Sequence, residues 1–152
     1  MEPGSLRVVF RMSRIDHIGI ATNDINEASK FWHHIGLDSG EDHINLEQDV
    51  KIRMFYGIDE NGNKTHSKVE LIEALSENSP IAKFIQKRGV GIQQLAISVN
   101  NIDNLISSLV DGGIRMINTE STIGAGGHKI AFVHPESTGG VLVELVERLD
   151  KE

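Results

Sequence analysis

Four polar residues interrupt otherwise apolar, strand-like stretches of this 152-residue chain: His17, Glu70, Gln94 and Glu144. An imidazole, an amide and two carboxylates together offer nitrogen and oxygen donors suited to one divalent ion of the zinc, cobalt, manganese or nickel type. Carboxylates beside such an ion can also take up and return a proton. Alone, a strand histidine is more often a hydrogen-bonded core residue, and a strand glutamate usually meets water or an arginine. The spacing is what sets these four apart. His17 precedes Gln94 by 77 residues and Glu70 precedes Glu144 by 74.

Those offsets belong to an internal repeat. Residues 14–37 (RIDHIGIATNDINEASKFWHHIGL) align without a gap on residues 91–114 (GIQQLAISVNNIDNLISSLVDGGI), pairing Ile15 with Ile92, His17 with Gln94, Ile25 with Ile102 and Gly36 with Gly113. Residues 69–73 (VELIE) match residues 143–147 (VELVE) in the same way. A duplicated unit folded about a pseudo-twofold axis would bring His17, Glu70, Gln94 and Glu144 into one cavity. A carboxylate within the apolar run 140–146 needs such a partner, because an unpaired buried charge is costly.

Each copy must hold its polar residue on a strand. Period-2 alternation sets His17 opposite Ile18 and Ile20, and sets each of Glu70 and Glu144 opposite its apolar neighbours. The first strand then gives way to a helix, with Asp24 and Glu27 as a capping box, Ile25, Ala28, Trp32 and Ile35 as the apolar stripe, and Gly36 as the stop. In the second copy Asn101 is the expected cap, followed by Ile102, Leu105, Ile106 and Leu109, with Gly112 and Gly113 ending the helix. Further strands are expected at 50–56 and 68–75, and at 129–133 and 140–147, so each half reads β-α-β-β-β. A short linking helix over 79–89 has Ser79 as cap, Pro80 at its first position and Gly89 at its end. Residues 59–64 form a polar hairpin tip.

The fold expected is therefore α+β: tandem βαβββ repeats forming a curved mixed sheet around a metal-binding cavity. Residues 14–147 make one domain of two repeats, about 14–78 and 91–147, with an N-terminal extension at 1–13 and a C-terminal tail at 148–152. The remaining histidines carry less information. His33 and His34 fall at a helix end, His43, His66 and His128 in polar loops, and His134 in a turn before Pro135. The glycine-rich stretch 123–129 could cradle an anionic or thioester group with its backbone amides, but it lacks the P-loop pattern.

A net charge of −7 without any Lys/Arg cluster excludes a nucleic-acid surface and favours small-molecule partners. The absence of cysteine excludes disulfides, thiolate metal sites and a cysteine nucleophile. With no membrane-length apolar run and no secretory signal pattern, the expectation is a cytoplasmic protein without a membrane anchor.

The segment Asp16-His17-Ile18-Gly19-Ile20-Ala21, the duplicated βαβββ pattern and Val141-Leu142-Val143-Glu144-Leu145 resemble the vicinal oxygen chelate superfamily, which includes glyoxalase I, bleomycin-resistance proteins, extradiol dioxygenases and methylmalonyl-CoA epimerases. Residues 79–89, and 123–135 leading through 137–141 to Glu144, most resemble the epimerases. The resemblance implies a homodimeric, divalent-metal-dependent isomerase that epimerises a 2-carboxyacyl-CoA such as methylmalonyl-CoA, abstracting the α-proton through a metal-stabilised enolate. It implies His17, Glu70, Gln94 and Glu144 as ligands, Glu144 and Glu70 as catalytic carboxylates, and Gly126, Gly127, Lys129 and His134 as contacts for the acyl-CoA thioester. The chain departs from the epimerase pattern twice. Gln93-Gln94 stands where His-His is usual, and Ile52 stands where some epimerases place a further carboxylate, with Glu47 near but not matching. A glyoxalase I-type lactoylglutathione lyase and a non-catalytic binding protein of the bleomycin-resistance type are the alternative readings. An iron dioxygenase is disfavoured because Gln94 replaces one of the two histidines it needs.

Overall fold

The computed structural model describes residues 12–149. Of the N-terminal extension only Met12 and Ser13 fall among them, and of the C-terminal tail only Arg148 and Leu149. The first repeat runs β1 (Ser13–Thr22), α1 (Ile25–His34), β2 (Asp38–Ser39), β3 (His43–Asn45), β4 (Val50–Ile58) and β5 (Lys64–Ala74). A linking helix, α2 (Pro80–Arg88), leads to β6 (Gly91–Val99), α3 (Ile102–Asp111), β7 (Thr122–Ile123), β8 (Lys129–Val133) and β9 (Val143–Glu147). The last strand begins at Val143 rather than 140, because Gly139 and Gly140 hold positive φ values of 79° and 103° and turn the chain before pairing starts.

All strands join one mixed, curved sheet in the order β2-β4-β5-β1-β6-β9-β8-β7, with β3 also on β4. The halves meet where β1 pairs antiparallel with β6, and each of these has a parallel neighbour, β5 beside β1 and β9 beside β6. The register carries the pseudo-twofold axis. Ile18 lies opposite Leu95, its repeat counterpart, while His17 faces Ala96 and Gly19 faces Gln94. In the flanking pairs Gly19 meets Glu70 and Ala96 meets Glu144. The registers of the two halves thus match about this axis, although the first half has four strands after its helix, one more than expected, and the second has three.

Two irregularities interrupt the central ladder. Between Ile15 and His17, strand β1 has Asp16 as an extra residue; between Ile92 and Gln94, strand β6 has Gln93. These positions also correspond under the repeat. A bulge breaks alternation and re-aims a side chain, so two consecutive polar residues reach one face of each strand.

Strict alternation elsewhere divides the sheet into two faces. Phe55 and Leu71 pack with Ile25 beneath α1, and Ala131, Val133 and Leu145 pack with Ile102 and Ile106 beneath α3. On the opposite face, Ala21, Val50, Ile52 and Ile72 are covered by Ile81 of α2, while Ala96, Ile130 and Val146 form a second patch. The helix starts show how the repeat is tied together. Asp24 accepts from the Glu27 amide at 3.2 Å, and Ser79 from the Ile81 amide at 3.1 Å, both as the sequence suggests. Asn101 does not cap. Its backbone is left-handed (φ 49°, ψ 57°) instead of extended, and its side chain makes no capping bond.

A cross-strand glutamate serves the start of each of α1 and α3. Glu73 Oε1 accepts from the Ile25 amide at 2.8 Å, and Glu147 Oε1 from the Ile102 amide at 3.0 Å. Each carboxylate satisfies a helix-start amide and meets the positive end of the dipole. Glu73→Ala and Glu147→Ala should each lower the unfolding free energy by about 1 kcal/mol. The double variant should lose their sum, because the two caps share no partners. Urea unfolding at constant slope measures this, and a double variant no worse than either single would refute independent caps.

Candidate active site

His17, Gly19 and Ala21 of β1 share the face opposite α1, and Glu70 of β5, Gln94 of β6 and Glu144 of β9 converge on the same region. All four polar residues are buried, each with 7% exposure or less. His17 Nε2 stands 3.3 Å from Glu144 Oε1 and 3.5 Å from Glu70 Oε1, yet completes a well-aligned hydrogen bond with neither. Gln94 Nε2 donates to Glu144 Oε1 at 3.0 Å. One chain therefore supplies the whole constellation.

Small residues make the convergence possible. A Cβ on Gly19 would come within 2.5 Å of Gln94 Cγ, so Gln94 lies directly over the glycine backbone. Its repeat counterpart, Ala96, lies opposite His17 and is fully buried. The amide and the imidazole thus each cross over a minimal side chain on the neighbouring strand.

Behind His17 is a second buried layer that alternation alone would not reveal. Its Nδ1 meets Asp16 Oδ2 at 2.7 Å, and Asp16 in turn accepts from Arg148 Nε at 2.8 Å and Arg148 Nη2 at 2.7 Å. Lys68 Nζ lies 3.7 Å from Asp16 Oδ1. Arg148 Nη1 also approaches His128 Nε2 at 3.0 Å, and the Leu149 amide donates to His128 Nδ1 at 3.1 Å. Asp16 was hidden in the sequence because only a bulge turns it inward; Arg148 sits in what reads as a tail, and His128 in what reads as an exposed loop. The adjacent Asp-His pair is the one signal that could have pointed to this layer.

The charges account for the ionisation of the site. Burial opposes charge on His17, but Glu70, Asp16 and Glu144 outweigh it and push its pKa up to about 12. Burial would raise the Asp16 pKa, but the Arg148 and His17 hydrogen bonds and the Arg148 and Lys68 charges hold it well below the usual carboxylate range. Burial pushes the Glu144 carboxyl up, with the Glu70 charge adding to this and His17 opposing it. The imidazolium thus provides the positive charge between two carboxylates.

The same residues fit a divalent ion. Among the described residues no group of three or more His, Asp or Glu side chains converges tightly enough to cage a cation unaided. The amide of Gln94 is the additional donor, and a half-turn of that amide presents oxygen where nitrogen now points. Asp16 holds the Nδ1 proton, so loss of the Nε2 proton to a bound ion would leave Nε2 as the donor atom, the usual support for a metal-binding histidine. The orphaned Nε2, two carboxylate oxygens and the amide make a set of suitable chemistry.

The constellation forms one wall of a cavity of about 540 Å³, lined elsewhere by Ile81 of α2, Tyr56 of β4 and Phe132 of β8. Gly126 lines it, whereas Gly127, Lys129 and His134 do not. Lys129 instead pairs with Asp103 at 3.1 Å, and His134 Nδ1 accepts from the Glu136 amide at 3.0 Å within its own turn. Ile52 lines the cavity, and exposed Glu47 does not. Glu70 and Glu144 are the carboxylates on the wall among the described residues.

Asp16 is 1% exposed, so removing its guanidinium partner takes two hydrogen bonds from a buried carboxylate and leaves only His17 and Lys68 to offset its charge. Arg148→Ala should cost about 3 kcal/mol of stability. Arg148→Lys should restore part of it, because the charge returns without the two-pronged geometry. Equal unfolding midpoints for wild type and Arg148→Ala would show that Asp16 does not depend on this pair.

The family model of the Glyoxalase/Bleomycin resistance protein/Dioxygenase superfamily matches residues 16–132. The mitochondrial methylmalonyl-CoA epimerase of Homo sapiens is 34% identical over 138 residues, covering 90% of this chain and 75% of the human protein. The crystal structure of methylmalonyl-CoA epimerase from Mycobacterium tuberculosis superposes with a TM-score of 0.81 at 35% identity, covering 90% of this chain and 88% of that one. A single-substitution variant of the Streptomyces coelicolor methylmalonyl-CoA epimerase, in complex with 2-nitronate-propionyl-CoA, gives a TM-score of 0.83 at 33% identity, covering 91% of this chain and 96% of that one. A chain with this repeat, this sheet and these relatives belongs to the glyoxalase/bleomycin resistance/dioxygenase superfamily.

Proposed function

We propose that this protein is a divalent-metal-dependent epimerase of a 2-carboxyacyl-CoA such as methylmalonyl-CoA. The observation that carries the reading is the buried His17 Nε2, facing Glu70 and Glu144 on the wall of a cavity large enough for an acyl thioester. The epimerase relatives support the substrate class.

In this reading His17, Glu70, Gln94 and Glu144 would hold the ion, which when bound supplies a Lewis acid for the substrate's carbonyl and carboxylate oxygens. Asp16 keeps the Nδ1 proton and orients the ring. Epimerisation removes the α-proton on one side of the substrate carbon and returns a proton on the other, so it needs an acceptor and a donor. Glu144 and Glu70 fill these roles, being the cavity's carboxylates. Burial and the neighbouring Glu70 charge push the Glu144 carboxyl up, which favours its protonated form relative to an exposed glutamate. Ile52, Ile81 and Phe132 keep water from the carbanion. Gly126 remains the loop contact for the thioester. Homodimeric assembly, supported by the family resemblance, and a cytoplasmic location complete the proposal.

A second reading, a glyoxalase I-type lyase, is favoured because His17, Glu70, Gln94 and Glu144 match that enzyme's ligand types in altered order, and among the described residues Ile52 leaves the cavity without a third carboxylate. The two activities separate cleanly. Protein loaded with cobalt or zinc and incubated with methylmalonyl-CoA in deuterated water should exchange the α-proton, as followed by NMR. Metal-free protein should not. Glu144→Ala should slow exchange by about 100-fold or more. No exchange by metal-loaded protein, together with turnover of a glutathione hemithioacetal, would establish the lyase instead.

A further inference from the structure

Gln93 lies on the cavity wall, yet it has no part in the ligand set or in the layer behind it. As the extra residue of the β6 bulge, it turns toward the cavity beside Gln94 rather than following alternation to the helix side. Its Oε1 is buried without a hydrogen-bond partner. Buried amide oxygens are nearly always paired, and an unpaired one detracts from stability. The corresponding bulge residue, Asp16, shows what a settled position looks like, with His17 and both prongs of Arg148 on its carboxylate. The repeat has kept the bulge at Gln93 and left its acceptor buried beside a ligand cavity, where rotation of the side chain presents it to an occupant.

We propose that Gln93 Oε1 is a subsite for the occupant's carrier arm, accepting a hydrogen bond from the first amide N–H of a thioester carrier. This rests on the reading of the cavity as a thioester site. The geometry specifies the partner's chemistry. An oxygen acceptor requires a donor, which excludes the carbonyl and carboxylate ends of the acyl group. A cation would go to Glu70 or Glu144, so a neutral N–H is the group suited to an uncharged amide. Gln93 is adjacent to Gln94, so the donor must lie a few bonds from the reacting carbonyl. In a CoA thioester the first amide N–H follows the sulfur after a two-carbon spacer, which meets both requirements.

The test uses metal-loaded wild type and Gln93→Met, a substitution that keeps side-chain length and replaces the amide with a weak acceptor. With methylmalonyl-CoA, KM should rise about tenfold while kcat changes little. With the S-butyl thioester of methylmalonic acid, which has no amide, the two proteins should behave alike. An equal effect on both substrates, or none on either, overturns the proposal. In the free protein, Gln93→Met should leave Tm unchanged or raise it, because the lost oxygen bonded to nothing. A fall of about 4 °C or more would show that Oε1 has a structural partner and also overturns it. If wild type turns over neither thioester, the epimerase reading fails separately, and Gln93 is judged by the Tm shift that propionyl-CoA induces. A shift lost in Gln93→Met supports the subsite, whereas a shift retained, or absent from wild type, overturns it.

Discussion

The structure depends on the pairing of β1 with β6. Because Ile18 lies opposite Leu95 on the pseudo-twofold axis, the β1–β6 pairs from Arg14–Ser98 to Ala21–Gly91 come as two copies on either side of it, and four side chains scattered along the sequence converge on one region. A slip of one residue would turn His17 and Gln94 to the helix face. The parallel neighbours β5 and β9 then contribute their glutamates at equivalent levels, since Gly19 fixes Glu70 and Ala96 fixes Glu144. Both the cavity and its chemistry follow from this single register.

Burying so much charge demands compensation, and the fold supplies it in layers. His17 is positive between Glu70 and Glu144; Asp16 is negative between His17, Arg148 and Lys68. Every buried charge in this group touches an opposite one, which is the condition under which such groups persist in an apolar interior. The arrangement also couples distant parts of the chain. Arg148 follows β9, the strand that carries Glu144, and its contacts with Asp16 and His128 tie the C-terminal end to β1 and to the glycine-rich loop.

The duplication was legible in the sequence because its gapless offset survives divergence, and the α+β architecture with its linking helix follows from Asp24, Ser79, Pro80 and Gly89 in their expected roles. What stayed hidden was whatever breaks a periodic rule. Alternation assigns Asp16 and Gln93 to the helix face, and only bulges, which have no signature in a single sequence, reverse that. Asn101 reads as a cap by residue type, but its left-handed backbone and the reach of Glu147 across the sheet give the role to a residue 45 positions beyond the helix start. The family resemblance implies Lys129 and His134 as contacts for the ligand. Tertiary structure gives them local partners outside the cavity.

Divergence between the halves is as informative as their symmetry. At the positions of the two ligand-bearing bulges, the first repeat has Asp-His and the second Gln-Gln. A second Asp-His pair would have added another buried carboxylate and another ionisable ring to an already crowded electrostatic centre. The repeat counterpart of Arg148 is Ala74, which could not neutralise such a carboxylate. An uncharged amide at Gln93 avoids that demand, and an uncharged amide at Gln94 can face Glu144 without altering the net charge of the cluster. One arginine, Arg148, supports the Asp-His unit on one side of the pseudo-twofold axis, and the other side carries two neutral amides that need no such support.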